Sequence, residues 1–229
     1  MTAPSRLVLV RHGETVGNSS IRYYGRTDIE LSELGRAQMR AAARALRTEL
    51  GFPQFAQVFA SPLCRATEGA RIIAGDAASI SAIEEFREVD FGDFEGLTAG
   101  EIEDRFPREF ARWNRDRLAP DYAYPGGESR ANFAARVRNG IERMMALRRP
   151  GITLIVAHRG VIRTITQTLT GAEPTIELGS IQVLAANDAR ERPAACRSRV
   201  RETRYYEWTV ERRDFTAHLA EEPLPRSQS

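Results

Sequence analysis

The most informative segment of the chain is Leu7-Val8-Leu9-Val10-Arg11-His12-Gly13-Glu14-Thr15. Its apolar run predicts a buried strand that delivers a guanidinium and an imidazole together at its carboxyl end. Ligands of open α/β sheets bind at the carboxyl ends of the strands. Gly13 allows a sharp turn there and a close approach of the backbone to a ligand. Since arginine matches phosphate geometry through paired hydrogen bonds, the segment indicates a site for a phosphate group.

A second segment repeats this pattern far downstream. The apolar run 152–157 predicts another buried parallel strand, which ends at His158-Arg159-Gly160 before a helical pattern. The chain has three histidines, and two of them stand at strand ends beside arginine and close to glycine. A single strand-end histidine is usually structural, but two in matching contexts favour a catalytic pair.

Composition excludes several other classes of function. The chain has 229 residues, a net charge of +2 and no lysine among its 33 basic residues, which excludes a Walker-type phosphate loop. Its two cysteines, Cys64 and Cys196, give neither a disulfide framework nor a Cys-x5-Arg loop. The histidines lack the spacing of a zinc site, so we expect no metal and no cofactor. No apolar stretch predicts a membrane span or a signal peptide, and a cytoplasmic location is the default expectation.

Patterns of apolar and polar residues predict alternating strands and helices, hence a mostly parallel sheet with helices on both faces. Ser61 is predicted to cap a helix that starts at Pro62, which puts Arg65 in the first turn. The other predicted elements are strands at 6–11, 58–60, 152–157, 181–186 and 205–210, and helices at 33–49 (capped by Ser32), after Thr98 (a capping box with Glu101), from Pro107, from Arg130 and over 161–169.

Further motifs lie between and after the two histidine segments. In order along the chain they are Asn18, Tyr24-Gly25-Arg26-Thr27-Asp28-Ile29-Glu30-Leu31-Ser32, Ala60-Ser61-Pro62-Leu63-Cys64-Arg65-Ala66, Arg87-Glu88-Val89-Asp90-Phe91-Gly92-Asp93-Phe94-Glu95-Gly96, Tyr124-Pro125-Gly126-Gly127-Glu128-Ser129 and Val156-Ala157-His158-Arg159-Gly160-Val161-Ile162-Arg163. This ordered set resembles the histidine phosphatase superfamily, which includes the phosphoglycerate mutases. The resemblance covers about residues 6 to 187.

The resemblance implies a three-layer α/β fold of the phosphoglycerate mutase type. We expect residues 1–220 to form a single histidine phosphatase domain with a helical insertion at about 92–127. The tail 221–229 carries prolines and serines, and we expect it to be disordered. The Arg-rich segment 190–204 is either a solvated loop or a loop that faces the substrate.

The resemblance also implies roles for the catalytic residues. His12 is the expected nucleophile, which would form a phosphohistidine, with its other ring nitrogen bonded to a backbone carbonyl. Glu88 is the expected general acid and base, and Asp90 is the fallback. His158 is expected to be catalytic, to bind phosphate and to be protonated.

Other residues are expected to hold the substrate. Arg11, Asn18 and Arg65 are candidate phosphate ligands, because fixed donors must meet the charge on the transferring oxygens. Thr15, Tyr24 and Gly25 are candidate substrate-binding residues. Two departures from the family pattern stand out. Arg159 follows the second histidine, where a small residue is common, and either points away or contacts an anion. Gly17 stands where an aromatic residue is common, which removes a packing anchor.

The sequence therefore predicts a phosphomonoesterase that acts on a small phosphorylated metabolite. The segments at 91–96 and 124–129 resemble the phosphatase branch, which includes α-ribazole phosphatases, fructose-2,6-bisphosphatases and broad-specificity phosphatases. The alternatives are a 2,3-bisphosphoglycerate-dependent phosphoglycerate mutase and a catalytically weak module that binds phosphorylated ligands. Acidic residues are interspersed among the arginines, so we expect no nucleic-acid partner and no membrane partner. The sequence leaves open whether the protein forms a homodimer.

Overall fold

The computed structural model of the protein describes residues 5–188 and 206–220. A six-stranded sheet in the order β3-β2-β4-β1-β5-β6 lies between two helical layers. The strands are β1 (Arg6–Arg11), β2 (Gln57–Ala60), β3 (Ile80–Ala82), β4 (Ile152–Ala157), β5 (Ile181–Asp188) and β6 (Tyr206–Phe215), and the helices are α1 (Glu33–Thr48), α2 (Cys64–Ala74), α3 (Ala99–Arg105), α4 (Pro107–Asp116), α5 (Arg130–Leu147) and α6 (Arg159–Thr170).

The predicted α/β sheet with helices on both faces is confirmed. Strands β3, β2, β4 and β1 pair in parallel, and β5 and β6 add antiparallel pairings at one side. Alternate residues of β1 point to opposite faces, as the strand period of two requires. Leu7 and Leu9 pack with α5 and α6, whereas Val8 and Val10 pack with α1 and α2. The central strand is therefore buried on both sides, and its carboxyl end is held in a fixed position.

Helices α3 and α4 lie within the segment predicted as a helical insertion, and they carry a separate apolar cluster. The predicted capping box of Thr98 and Glu101 begins α3, and Pro107 begins α4 as predicted. The aromatic cluster of this region comprises Tyr23, Phe91, Phe94, Trp113, Tyr122 and Tyr124, with ring centroids 5.0 to 6.2 Å apart. That residues 1–220 form one domain stays a prediction.

Several predicted boundaries are wrong. Helix α2 begins at Cys64 and not at Pro62, and Ser61 does not cap it, because the Ser61 hydroxyl lies 2.7 Å from His158 Nε2. The N-cap residue is Leu63, which has no capping side-chain bond, although Arg65 still falls in the first turn. Helix α6 begins at Arg159, two residues earlier than predicted, with His158 as its N-cap residue. Strand β6 runs on to Phe215.

Several predictions fall on other parts of the chain. The Arg-rich segment 190–204, Cys196 and the tail 221–229 lie outside the described residues. In the described part, no helix is both long enough and apolar enough to cross a membrane. The cytoplasmic location and the homodimer stay predictions.

The turn after β1 rests directly on the start of α1. A Cβ atom placed on Gly13 would lie 2.4 Å from the carbonyl oxygen of Gly35, and one placed on Gly35 would lie 1.9 Å from the carbonyl oxygen of Glu14. Ser32, the predicted cap of α1, accepts a hydrogen bond from Gly35 N and donates to Glu14 O. Backbone therefore meets backbone here, and only glycine fits at position 35.

We predict that Gly35→Ala lowers the free energy of unfolding by about 1–3 kcal/mol, the usual effect of overpacking. The matched control is Gly100→Ala in α3, where an added Cβ meets no atom within 4 Å. That change should leave stability unchanged or raise it by up to about 1 kcal/mol, since alanine favours a helix over glycine. Urea denaturation of both variants measures the difference. Equal stability of the two variants would contradict this account of the turn.

Candidate active site

The two histidines meet because their strands are neighbours. Strands β1 and β4 pair in parallel, with Arg11 opposite Ala157, so both chains turn at the same edge of the sheet. His12 and His158 are the first residues after β1 and β4. Their imidazole rings have centroids 5.1 Å apart and planes inclined at 66°. Both side chains are buried. The sequence prediction that the two strand ends converge is confirmed.

The tautomer of His12 follows from its hydrogen bonds. Its Nδ1 lies 2.7 Å from the carbonyl oxygen of Gly13, which can only accept, so Nδ1 carries the proton. Its Nε2 accepts a hydrogen bond from Arg65 Nε at 3.3 Å. The lone pair of Nε2 therefore faces the guanidinium. The expected backbone partner of the His12 ring is confirmed.

Arg65 is fully buried, and no carboxylate of the described residues contacts it. Its NH1 donates to Thr27 O at 2.7 Å, and its NH2 donates to Gly25 O at 2.7 Å and to Tyr24 O at 3.4 Å. The carbonyl groups of Tyr24 and Gly25 thus orient the guanidinium of Arg65. Neutral carbonyls satisfy its N–H groups but leave its positive charge available to an anion.

The loop that carries these carbonyls is fastened by Glu95. Its carboxylate accepts hydrogen bonds from the backbone N–H groups of Gly25, Arg26, Thr27 and Phe91 and from the Thr27 hydroxyl, at 2.5 to 3.2 Å. The Glu95 side chain therefore fixes the conformation of the loop whose carbonyl groups orient Arg65. This role is not evident from the sequence, because nothing in the local pattern connects Glu95 with residues about 70 positions earlier.

His158 has one nitrogen in a defined hydrogen bond and one without a partner. The Ser61 hydroxyl accepts from Leu63 N and lies 2.7 Å from His158 Nε2. His158 Nδ1 is buried without a partner in the described structure. Arg11 Nε is orphaned in the same way, while Arg11 NH1 donates to Ile176 O. Since buried polar groups are normally paired, these two orphaned nitrogen atoms beside His12 indicate a place for a polar ligand.

Burial and positive charge hold both imidazoles neutral. Burial, followed by Arg65 and then Arg11, places the pKa of His12 well below its usual value. Burial and then Arg65 lower the pKa of His158 in the same direction. In the free protein the protonated form of His158 is therefore disfavoured, and its protonation beside a bound phosphate stays a prediction. Burial also lowers the pKa of Arg11 to about 10, with Glu88 acting in the opposite direction.

Glu88 is held at the site by backbone groups. Val89 N donates to its Oε1 at 3.1 Å, and Gly160 N donates to its Oε2 at 3.0 Å. A Cβ atom on Gly160 would lie 2.5 Å from Glu88 Oε1, so position 160 admits only glycine without displacing the carboxylate. A carboxylate has about four lone-pair sites, and these two bonds leave the remainder open.

The chain segment around Glu88 is clamped by Arg136. Its guanidinium donates to the carbonyl oxygens of Glu85, Arg87 and Glu88 and pairs with the Glu128 carboxylate at 2.7 Å. Asp90, the fallback acid, pairs instead with Arg26 at 2.9 Å and accepts from Gly92 N. The geometry therefore favours Glu88 over Asp90 as the acid, because Gly160 N, two residues after His158, holds its carboxylate, and its charge acts on Arg11 and Arg65.

The loop after the first histidine is held by Glu14. Its carboxylate accepts from Thr15 N, the Ser19 hydroxyl and Ser20 N. Asn18 adopts a positive φ of 59° at the exposed tip of this loop. The Thr15 hydroxyl is buried without a partner in the described residues.

Gly17 does not leave the loop unanchored, contrary to expectation. A Cβ atom at this position would lie 2.4 Å from the Tyr24 hydroxyl oxygen, so the ring of Tyr24 fills that space. As substrate or phosphate contacts, Asn18, Thr15, Tyr24 and Gly25 stay predictions. In the described part of the chain, no three acidic, histidine or cysteine side chains cluster as metal ligands.

Comparison with known sequences identifies relatives. A sequence profile of the histidine phosphatase superfamily (branch 1) matches residues 7–179. The chain is 37% identical over 158 residues to a bifunctional protein of Mycobacterium tuberculosis, a match that covers 68% of this chain and 41% of that protein. It therefore spans less than half of the length of that relative. It is 34% identical over 175 residues to glucosyl-3-phosphoglycerate phosphatase of the same species, covering 72% of this chain and 74% of that enzyme.

Solved structures agree with this relationship. A putative α-ribazole-5′-phosphate phosphatase from Escherichia coli superposes with a TM-score of 0.71 at 25% identity, covering 81% of this chain and 92% of that one. The mycobacterial glucosyl-3-phosphoglycerate phosphatase gives a TM-score of 0.71 at 26% identity, covering 93% and 100%. With the profile match over most of the chain and the paired histidines at the sheet edge, this protein belongs to the histidine phosphatase superfamily.

Proposed function

We propose that the chain is a phosphomonoesterase that acts on a small phosphorylated metabolite through a phosphohistidine on His12. The observation that carries the proposal is the set of unpartnered polar atoms around a nitrogen lone pair. His12 Nε2 is free of a proton, and His158 Nδ1 and Arg11 Nε are buried without partners in the described structure. A phosphate group would supply the missing acceptors and neutralise the buried guanidinium of Arg65.

In the first step, His12 Nε2 attacks phosphorus, and the bond from phosphorus to the leaving oxygen breaks. Glu88 gives its proton to that oxygen as it leaves. In the second step, Glu88 takes a proton from water, the water oxygen attacks phosphorus, and the phosphorus–nitrogen bond breaks to release phosphate and neutral His12. Splitting the reaction through a covalent intermediate makes each step easier than direct attack by water.

Arg11, Arg65 and His158 would hold the transferring oxygens throughout. A bound dianion favours the protonated form of His158, so binding of substrate should be accompanied by uptake of a proton there. Relatives named as phosphatases support hydrolysis over transfer to a second substrate. Their printed names include α-ribazole, glucosyl-3-phosphoglycerate and phosphoserine phosphatases, which is why we propose a small metabolite and no single compound.

We predict that His12→Ala abolishes release of phosphate from p-nitrophenyl phosphate, with a loss on the order of 10⁴-fold. The variant should also lack an acid-labile, base-stable phosphoenzyme in rapid-quench labelling. It should still bind inorganic phosphate, because Arg11, Arg65 and His158 remain. Full activity in the variant would overturn the assignment of the nucleophile. Binding without hydrolysis in the native protein would instead support the module that only binds phosphorylated ligands.

We predict that Glu88→Gln slows phosphorylation far more with an alkyl phosphate than with p-nitrophenyl phosphate, because only the alkoxide needs a proton to leave. Water activation is lost as well, so stopped-flow traces with the aryl substrate should show a burst followed by a slow steady rate. The matched control is Glu84→Gln, whose exposed carboxylate pairs only with Arg87 in the described structure. Equal losses on both substrates without a burst would exclude Glu88 and direct the test to Asp90.

We predict that His12 and His158 stay neutral in the free protein well below pH 6.5. In the unfolded chain their pKa lies near 6.5, so the unfolded state binds more protons once the pH falls below that value. Each group should then reduce the free energy of unfolding by up to about 1.4 kcal/mol per pH unit, down to its lowered folded pKa. NMR titration of the three imidazoles tests this directly. A midpoint near 6.5 for both active-site rings would contradict it, whereas added phosphate should raise the pKa of His158.

A further inference from the structure

Arg159 is an unpaired cation beside the site. It is exposed at the first position of α6, directly after His158, and it makes no hydrogen bond or ion pair with the described residues. Burial is the main cause of the lowered pKa of Arg11, and the charge of Arg159 adds to it; burial raises the pKa of Tyr23, and the charge of Arg159 partly offsets that rise. The guanidinium therefore lies near the phosphate end of the site and also near the aromatic cluster, of which Tyr23 is part.

The charge of Arg159 has no counter-charge in contact among the described residues. The positive charges of Arg11 and Arg65 are already close to the two histidines, and cations are disfavoured at the start of a helix. The cavity of about 560 Å³ beside Glu88 shows the contrast, since Arg26 and Arg136 on its wall are neutralised by Asp90 and Glu128. An anion from outside the chain would offset the same repulsion at Arg159.

The place of Arg159 relative to Glu88 indicates which part of a substrate it would meet. Gly160 N donates to Glu88 Oε2 at 3.0 Å, so Arg159 adjoins the carboxylate that would protonate the leaving oxygen. Groups attached to the leaving oxygen lie on that side of the phosphate. The long side chain of arginine can follow such a group, and its planar fork matches a carboxylate or a phosphate.

We propose that Arg159 forms a second anion subsite, which binds a carboxylate or a second phosphate carried by the leaving group of the substrate. The half-buried Tyr23 borders the subsite on the side of the aromatic cluster. This inference rests on the proposed phosphatase function and narrows its substrates to monoesters whose leaving group is itself anionic. Arg159 contributes to specificity in this arrangement and takes no part in proton transfer.

The test compares matched pairs of substrates. For a carboxylate, 3-phosphoglycerate is compared with glycerol 3-phosphate. For a second phosphate, propane-1,3-diol bisphosphate is compared with 3-hydroxypropyl phosphate. The native protein should show a higher kcat/KM for the anionic member of at least one pair, and the pair that shows it identifies the group bound.

Arg159→Gln should reduce kcat/KM for that anionic substrate about tenfold or more beyond its effect on the neutral member, the loss expected for one charge-assisted pair. Arg159→Lys should keep part of the preference, because the charge remains without the planar fork. The control is Arg163→Gln, one turn later on the same helix, whose guanidinium pairs with Glu173. It should retain the native preference.

Two results would overturn the inference while leaving the phosphatase function intact. One is hydrolysis without preference in either pair, and the other is an equal effect of Arg159→Gln on both members of a pair. A loss of preference in Arg163→Gln as large as in Arg159→Gln would count the same way, since it would show a general effect of charge. If the native protein hydrolyses none of these esters and no p-nitrophenyl phosphate, both the phosphatase function and this subsite fail.

Discussion

The burial of one guanidinium without a carboxylate in contact organises this structure. Arg65 lies inside the protein, where an isolated charge is very unfavourable unless its N–H groups are satisfied. Three backbone carbonyls and one imidazole nitrogen meet that requirement. They come from the loop at 24–27 and from the end of β1, so satisfying Arg65 fixes the loop and the nucleophile relative to each other. The charge itself is offset only at longer range, chiefly by Glu88 and Asp28, which leaves room for an anion in direct contact.

Two carboxylates that do not contact Arg65 stabilise the loops around it. Glu95 holds the loop that faces Arg65, and Glu14 holds the loop that follows His12. Both act almost entirely through backbone N–H groups. The acidic side chains that build the site are thus used to shape loops, and this keeps negative charge away from the oxygens of a phosphate. Glu88 is the exception, because its charge acts on Arg11 and Arg65 and its carboxylate carries out the proposed proton transfers.

How much the sequence predicted depends on the range of each interaction. The caps of Ser32 and Thr98 were predicted correctly because their partners lie three residues away in the chain. The cap of Ser61 was predicted wrongly, since its hydroxyl is taken by His158, 97 positions later. The convergence of His12 and His158 followed from strand patterns, but their neutrality did not. Depth of burial and the nearby guanidiniums determine that neutrality, and neither is written in the local sequence.

The contact between Gly17 and Tyr24 has an evolutionary consequence. The tyrosine ring occupies the space that a side chain at position 17 would need. One aromatic ring can anchor this loop, and it can come from either position, although both cannot carry one together. Across a lineage of such proteins the two positions should therefore change as a pair. A large residue at 17 would arise only after the residue at 24 had become small. The intermediate protein, with small residues at both positions, would have a less ordered loop.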